Sequence, residues 1–409
     1  MQDARNLESV KKLNRINVLN IVRENENISR QQLAELTRLT PAAITGIVRE
    51  LVELGYVQEI GLGESSGGRR PMRLQICPDA GYVIGAEITR NRTTIGIVDL
   101  LLRPVKVLEA EIDMENPKTA IDSVVEKIEE LIAETEIPVK KIHGAGFAFP
   151  GLLDITTKVI KRSPSLGEQW CNIPVKQWLE ARLNLPLHVE HNPHAAALAE
   201  YTIGKGKDIK NLVYVNLGEG FSAGVIMDNK MLYGAHGHAG EMGHMVVVED
   251  GPLCNCGNKG CLESIYAVSA LVRKANNELP LCQDNDGLKA IWQQKGKIGI
   301  DDIIAAANEV DSYAWQLIRQ AGWYIGIGIA NVINFYNPEI VCLGGILSES
   351  QTVLIEPLLE SLNRHAFPEI ARDTRIEISA IGRNAAFYGA CLGVIKNLFT
   401  LEGSDNMIS

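Results

Sequence analysis

The apolar pattern of this chain changes period part-way along, and no single fold suits both parts. Up to about residue 55 apolar residues recur every three or four positions, as on helices. After a short alternating stretch, buried-looking runs of strand length alternate with amphipathic helical segments to the end. A length of 409 residues also exceeds one ordinary core, so two or three domains are expected. Hydrophobic content of 46% with 22% charged residues is that of a soluble globular protein. No apolar run reaches the ~18 residues of a membrane helix, and "MQDARNLESVKKLN" lacks the apolar core of an export signal. Eight cysteines without such a signal point to reduced thiols in the cytoplasm.

Charge follows the same division. Residues 1–75 carry eleven Lys and Arg against nine Asp and Glu, whereas the whole chain has a net charge of −10. An acidic body with a mildly basic head places any nucleic-acid contact in the head.

In that head, Val10, Leu13, Ile16, Leu19 and Val22 predict one amphipathic helix. "ISRQQLAELTRLTPAAITGIVRELVELGYV" reads as two more. Ser29 caps the first, with Leu33, Ala34 and Leu36 inward. Thr40 caps the second, with Pro41 in its first turn, Ile44, Ile47, Val48 and Leu51 on its apolar face, and Gly55 as its stop. Two short helices joined by a tight connector form a helix-turn-helix. The second exposes Pro41, Ala42, Ala43, Thr45, Gly46 and Arg49, small enough to enter a major groove and polar enough to reach bases or phosphates. "YVQEIGLGESSGGRRPMRLQI" then alternates like two strands around a Gly/Ser tip, a wing carrying Arg69 and Arg70. Arginines in an extended Gly-Arg-Arg-Pro segment suit a narrow minor groove. The plainer alternative is a three-helix bundle with a solvated turn.

Beyond the head, strands are expected at 82–88, 93–99 and 105–112 and a helix at 118–134. "KIHGAGFAFPGLLD" and "LVYVNLGEGFSAGVIMDNKML" supply further strands, and "AWQLIRQAGWYIGIGIANVINFYNP" a long helix before "EIVCLGGIL". This order implies an α/β body of two lobes around a cleft. Within it, "GEMGHMVVVEDGPLCNCGNKGCLE" places His244, Cys254, Cys256 and Cys261 within eighteen residues. One imidazole and three thiolates make a closed tetrahedral set suited to structural Zn²⁺, with Gly257 and Gly260 as tight turns. The alternative is a group of reduced thiols.

"GEMGHM" followed by "CNCGNKGCLE" resembles the ROK family of repressors, open reading frames and sugar kinases. So do "FPGLLD", "EHNPHAAALAE" and "NPEIVCLGGIL", and the head with "SSGGRRP" is similar to the repressor branch. The resemblance implies a winged helix-turn-helix on an actin-like ATPase body. The domains would be residues 1–77, 78–195 and 196–409, with the last helix returning to the first lobe. A sugar or sugar phosphate would lie in the cleft, on His191, Asn192, Glu241, His244 and Glu263. His244 would then offer one ring nitrogen to the metal and the other to the ligand.

In kinase members the stretch matching "EHNPH" resembles Glu-Asn-Asp-Ala-Asn, whose Asp is the general base. Here Asn192 stands at that position, and an amide takes no proton near neutral pH. His191 or His194 would be the substitutes. The kinases' first phosphate loop resembles Asp-x-Gly-Gly-Thr, whereas this chain has "EITRN", Glu87 to Asn91. The second, "GEGFSAG", keeps Gly218, Gly220 and Gly224 but carries Glu219, which repels phosphate. "SPSLGEQW" resembles the loop over the sugar, with Ser165 where Asn is common. The expectation is a non-enzymatic, sugar-responsive repressor, a homodimer or homotetramer on operator DNA, with no membrane contact. The alternative is an active sugar kinase fused to a DNA-binding head.

Overall fold

Two hydroxyl caps set the geometry of the head. Ser29 accepts from the Gln32 amide while the Gln32 side chain accepts from the Ser29 amide, closing a capping box. Thr40 accepts from the Ala43 amide, Pro41 follows in the first turn, and Gly55 leaves the helix at φ +77°. The structure, a computed structural model, describes residues 2–25, 27–62, 70–281, 287–310 and 312–400, with side chains from Val10 onward. The head comprises α1 (Gln2–Glu24), β1 (Ile28–Ser29), α2 (Arg30–Thr37), α3 (Pro41–Glu53), β2 (Val57–Leu62) and β3 (Met72–Ile76). Its strands form an antiparallel sheet in the order β1-β3-β2, the wing.

Leu19, Val22, Leu33, Ile44, Val48 and Leu51 fill its core. Three residues expected inside lie outside: Val10 is 51% exposed, Leu13 48% and Leu36 60%. Periodicity marks an apolar stripe, but burial depends on what covers it. On α1 the covering elements bury the stripe only from Ile16 onward.

The body carries two five-stranded sheets. The first is built from β4 (Tyr82–Ile88), β5 (Thr93–Asp99), β6 (Pro104–Ala110), α4 (Pro117–Thr135) and β7 (Ile142–Phe149). A small sheet follows, β8 (Leu152–Leu153), β9 (Ile160–Arg162) and β10 (Cys171–Ile173), then α5 (Val175–Glu180), β11 (Leu187–His191) and α6 (Asn192–Ile203). Strand order is β11-β7-β4-β5-β6, with β11 and β4 parallel to β7 and the rest antiparallel. Every residue of β5 is buried, as a strand covered on both faces requires.

The second sheet runs β14-β13-β12-β15-β16. Its elements are β12 (Leu212–Leu217), β13 (Phe221–Met227), β14 (Lys230–Met231), α7 (Leu262–Tyr266), α8 (Val268–Glu278), α9 (Gly287–Lys295) and α10 (Ile300–Ala306). Then come α11 (Tyr313–Tyr336), β15 (Ile340–Gly344), α12 (Gln351–His365), α13 (Pro368–Asp373), β16 (Arg375–Ile378) and α14 (Ala385–Leu398).

Helix α14 ties these parts together. It leaves the second sheet and packs on α6, β4, β7 and β11. A side chain at Gly389 would lie 1.8 Å from the Ala195 carbonyl of α6, so only glycine permits this approach. At its far end α14 joins the head. Leu19, Val22, Leu51 and Tyr56 share one core with Val83, Val98, Phe387, Cys391, Ile395 and Leu398. Asn20 donates to the Phe399 carbonyl at 3.0 Å, and the Arg23 guanidinium lies 5.3 Å from the Phe399 ring centre. Among the described residues no helix is long and apolar enough to cross a membrane.

Candidate functional site

The cysteine loop is shaped by backbone bonds before any side chain is considered. Cys254 N–H donates to Asn258 at 2.7 Å, Gly257 N–H to Cys254 at 2.9 Å, and Leu262 N–H to Met245 at 2.9 Å. Gly257 and Gly260 both take positive φ, +100° and +72°, and a Cβ at Gly260 would strike the Val248 carbonyl. This folding brings His244, Cys254, Cys256 and Cys261 together with all ligand atoms within 4.8 Å of one another. His244 Nδ1 is 3.6 Å from Cys254 Sγ, and Cys256 and Cys261 sulfurs are 3.6 Å apart. Burial and the neighbouring thiols push Cys261 up to about 12, so a cation is what would hold it as thiolate. The set can hold a metal ion.

His244 turns its other nitrogen, Nε2, toward Glu241 Oε2 at 3.8 Å. Glu263, in the first turn of α7, uses Oε2 to accept from the Phe221 amide at 3.1 Å. Burial raises the carboxyls of both Glu241 and Glu263, opposed by His244. Metal loop and acidic wall therefore share one histidine.

The other wall is the start of α6. Asn192 Nδ2 donates to the Ile88 carbonyl at 3.1 Å, and its Oδ1 is buried without a partner. His191 is 5% exposed with Nδ1 unpartnered. Burial, reinforced by His194, lowers His191 to about 3, so it is a neutral ring and a poor base at neutral pH. Beneath them Glu190 accepts from Tyr233 OH at 3.0 Å and from the His191 amide at 2.9 Å, and lies 3.5 Å from His194 Nδ1. His194 Nε2 and His238 Nε2 are likewise buried without a hydrogen-bond partner. These buried polar atoms gather in one place, on the start of α6 and the loop after β14. Tyr233 and His238 come from the loop after β14. No spacing in the sequence marks them, since they meet His194 and His191 only through the fold.

The turns expected to lack phosphate-binding capacity face each other. "EITRN" is the end of β4 and the turn into β5, and Glu219 lies on the turn between β12 and β13. Burial pushes Glu87 up to about 7 against the pull of Arg92, 3.9 Å away. Gly224 is not part of the turn. It lies within β13, where a Cβ would meet the Pro193 carbonyl at 2.2 Å, so it seats α6 on the second sheet. Ser165 Oγ is 3.5 Å from the buried Ser163 Oγ, and the next carbonyl, Leu166, accepts from Arg90 at 3.2 Å.

On the head, Pro41, Ala42, Ala43, Thr45, Gly46 and Arg49 are all exposed along α3. Thr45 donates its hydroxyl proton to the Pro41 carbonyl at 2.8 Å. Arg49 is 77% exposed beside Glu53. Arg70 is exposed, whereas Arg69 lies outside the described residues.

Comparison with known proteins agrees with this anatomy. Residues 83–396 match the ROK family and residues 12–58 a winged helix-turn-helix DNA-binding family. A xylose repressor from Caldicellulosiruptor bescii is 30% identical over 96% of this chain and 97% of its own. The crystal structure of a ROK family transcriptional regulator, a homologue of the E. coli MLC protein, superposes with a TM-score of 0.81. Its identity is 25%, covering 98% of this chain and 99% of that one. A ROK family glucokinase from Streptomyces griseus, solved with glucose and AMPPNP, shares 27% identity and a TM-score of 0.66. It covers 76% of this chain and 98% of its own. This chain, with a winged head on a kinase-like body, belongs to the ROK family.

Proposed function

We propose that this protein is a cytoplasmic transcriptional repressor of carbohydrate-utilisation genes, released from its operator by a sugar or sugar phosphate in a non-catalytic cleft. The division into residues 1–77, 78–195 and 196–409 belongs to that reading. The observation that carries it is the core shared by the head and α14. A ligand-gated head needs a stiff link between cleft and DNA face, and α6, which opens on His191 and Asn192, packs directly on α14. Pro41, Ala42, Ala43, Thr45 and Arg49 enter the major groove, and Arg69 and Arg70 follow the wing into the minor groove. Two copies, as a dimer or within a tetramer, read a near-palindromic site. His191, Asn192, Glu241, His244 and Glu263 hold the ligand.

Zn²⁺ suits His244 Nδ1 with the sulfurs of Cys254, Cys256 and Cys261, a set with no open position. When bound it supplies structure rather than chemistry, orienting His244 toward the cleft. Replacement of a carboxylate base by Asn192, with His191 held neutral, supports a non-enzymatic role. Release requires that the ligand bind one conformer more tightly than the other.

Fluorescence anisotropy on DNA upstream of the protein's own gene, at fixed salt and with D-xylose first among free and phosphorylated sugars, tests this. Specific binding lost on adding one sugar is the expected result. Phosphate transfer from ATP-Mg²⁺ to a sugar, with no specific DNA binding, would establish the kinase alternative.

A further inference from the structure

The two turns that lack phosphate-binding character are joined to each other. Asn91 Nδ2, on the turn between β4 and β5, donates to Glu219 Oε1, on the turn between β12 and β13, at 2.9 Å. These residues are 128 positions apart and belong to different sheets. Each turn is held by its own bonds. On the first, Thr89 N–H donates to the Arg92 carbonyl at 3.1 Å, and Arg90 reaches across to the Leu166 carbonyl at 3.2 Å. On the second, Ser269 donates to the Glu219 carbonyl and Val268 N–H to the Gly218 carbonyl, both at 3.1 Å. A bond between two braced turns transmits force, whereas one between loose loops would not.

We propose that Asn91 and Glu219 form a latch between the two halves of the cleft, doing with side chains what a bound nucleotide phosphate does between the matching kinase turns. The same two substitutions explain both losses and gain. The bulk of "EITRN" fills the approach a phosphate needs, and the Glu219 carboxylate repels an anion while accepting from Asn91. Burial raises the Glu219 carboxyl above its ordinary range, and the hydrogen bond from Asn91 and the nearby Arg90 guanidinium oppose that rise. Two residues on from Glu219, the Phe221 amide is bound by Glu263 of the acidic wall. A ligand that draws on Glu263 therefore acts on the latch turn. This part rests on the effector cleft proposed above.

The test compares Asn91→Ala, Glu219→Ala, the double variant and Glu219→Gln in the full chain, each first matched to wild type by circular dichroism. Small-angle X-ray scattering without ligand reads the cleft directly. Calorimetric titration with D-xylose reads the ligand side. The latch predicts a larger radius of gyration for both alanine variants, no further increase in the double, and a wild-type radius for Glu219→Gln, which keeps the acceptor oxygen. D-xylose affinity falls roughly fivefold in each alanine variant and no further in the double, the size expected of one partly exposed hydrogen bond. Alanine variants with the wild-type radius, or effects that add in the double, overturn the latch. Expansion of the alanine variants with D-xylose bound by none of the proteins supports the latch and removes that sugar from the functional reading instead.

Discussion

The cysteine loop and the α6 wall, the two sides of the proposed ligand cleft, are assembled in opposite ways. The loop draws its four candidate metal ligands from residues 244–261, and its shape follows from two left-handed glycines and a few short-range amide bonds. The wall draws on β11, the start of α6, the loop after β14 and the end of β4, and no two of these are neighbours in sequence except the first pair. A local unit forms on its own information and would be cooperative with a metal it holds. A wall made of distant pieces is stable only when the sheets that carry those pieces have docked. Damage to the first should be concentrated and large, and damage to the second graded.

The largest expected effect is at the loop. Cys256→Ala should abolish stoichiometric zinc, measured by atomic emission on the purified protein, and lower stability by about 4 kcal/mol or more, the range in which lost metal sites fall. A variant that keeps its metal and its unfolding midpoint would falsify the closed four-ligand set.

Next is Glu87, buried at the end of β4. Its carboxyl binds a proton more tightly when folded, at about 7, than at its ordinary value of 4.5. Folding therefore takes up a proton between those values. The contribution to stability is full below about pH 4.5 and lost as pH rises through about 7. Glu87→Gln should remove about 3 kcal/mol of the stability difference between pH 4.5 and pH 8, read from denaturant melts. An unchanged pH dependence would show that Arg92 keeps Glu87 ionised throughout.

The smallest is Tyr233→Phe, which deletes one hydroxyl from the buried Glu190 carboxylate. Since Tyr233 is only half-buried, water partly replaces it, and about 1–2 kcal/mol of destabilisation is expected. A loss as large as that of Cys256→Ala would erase the contrast between local loop and distributed wall.

Legibility followed the same division. Ser29, Thr40 and Gly55 act where their residue types place them, because a cap or a left-handed stop depends on the backbone within three or four positions. Leu36, Leu13 and Val10 sit on a helical apolar stripe but stay exposed, since a stripe says nothing of the partner that would cover it. Gly224 looked like one more turn glycine and is instead the seat of the Pro193 carbonyl, a contact between two elements that no spacing encodes. Glu219 was legible as a group hostile to phosphate, while its partner Asn91 was not.

What the residues alone determined are the local units: the capped helices of the head, the strands buried on both faces, and the loop that gathers one histidine and three cysteines. Each is decided by short-range sterics, hydrogen bonds and ligand chemistry. Only the tertiary structure decided that α14 joins α6 to the head, that Tyr233 and His238 complete the wall with His191 and His194, and that Asn91 meets Glu219. Those contacts arise when whole sheets and helices pack, and packing is governed by the summed shape of many side chains rather than by any pair that can be read in line.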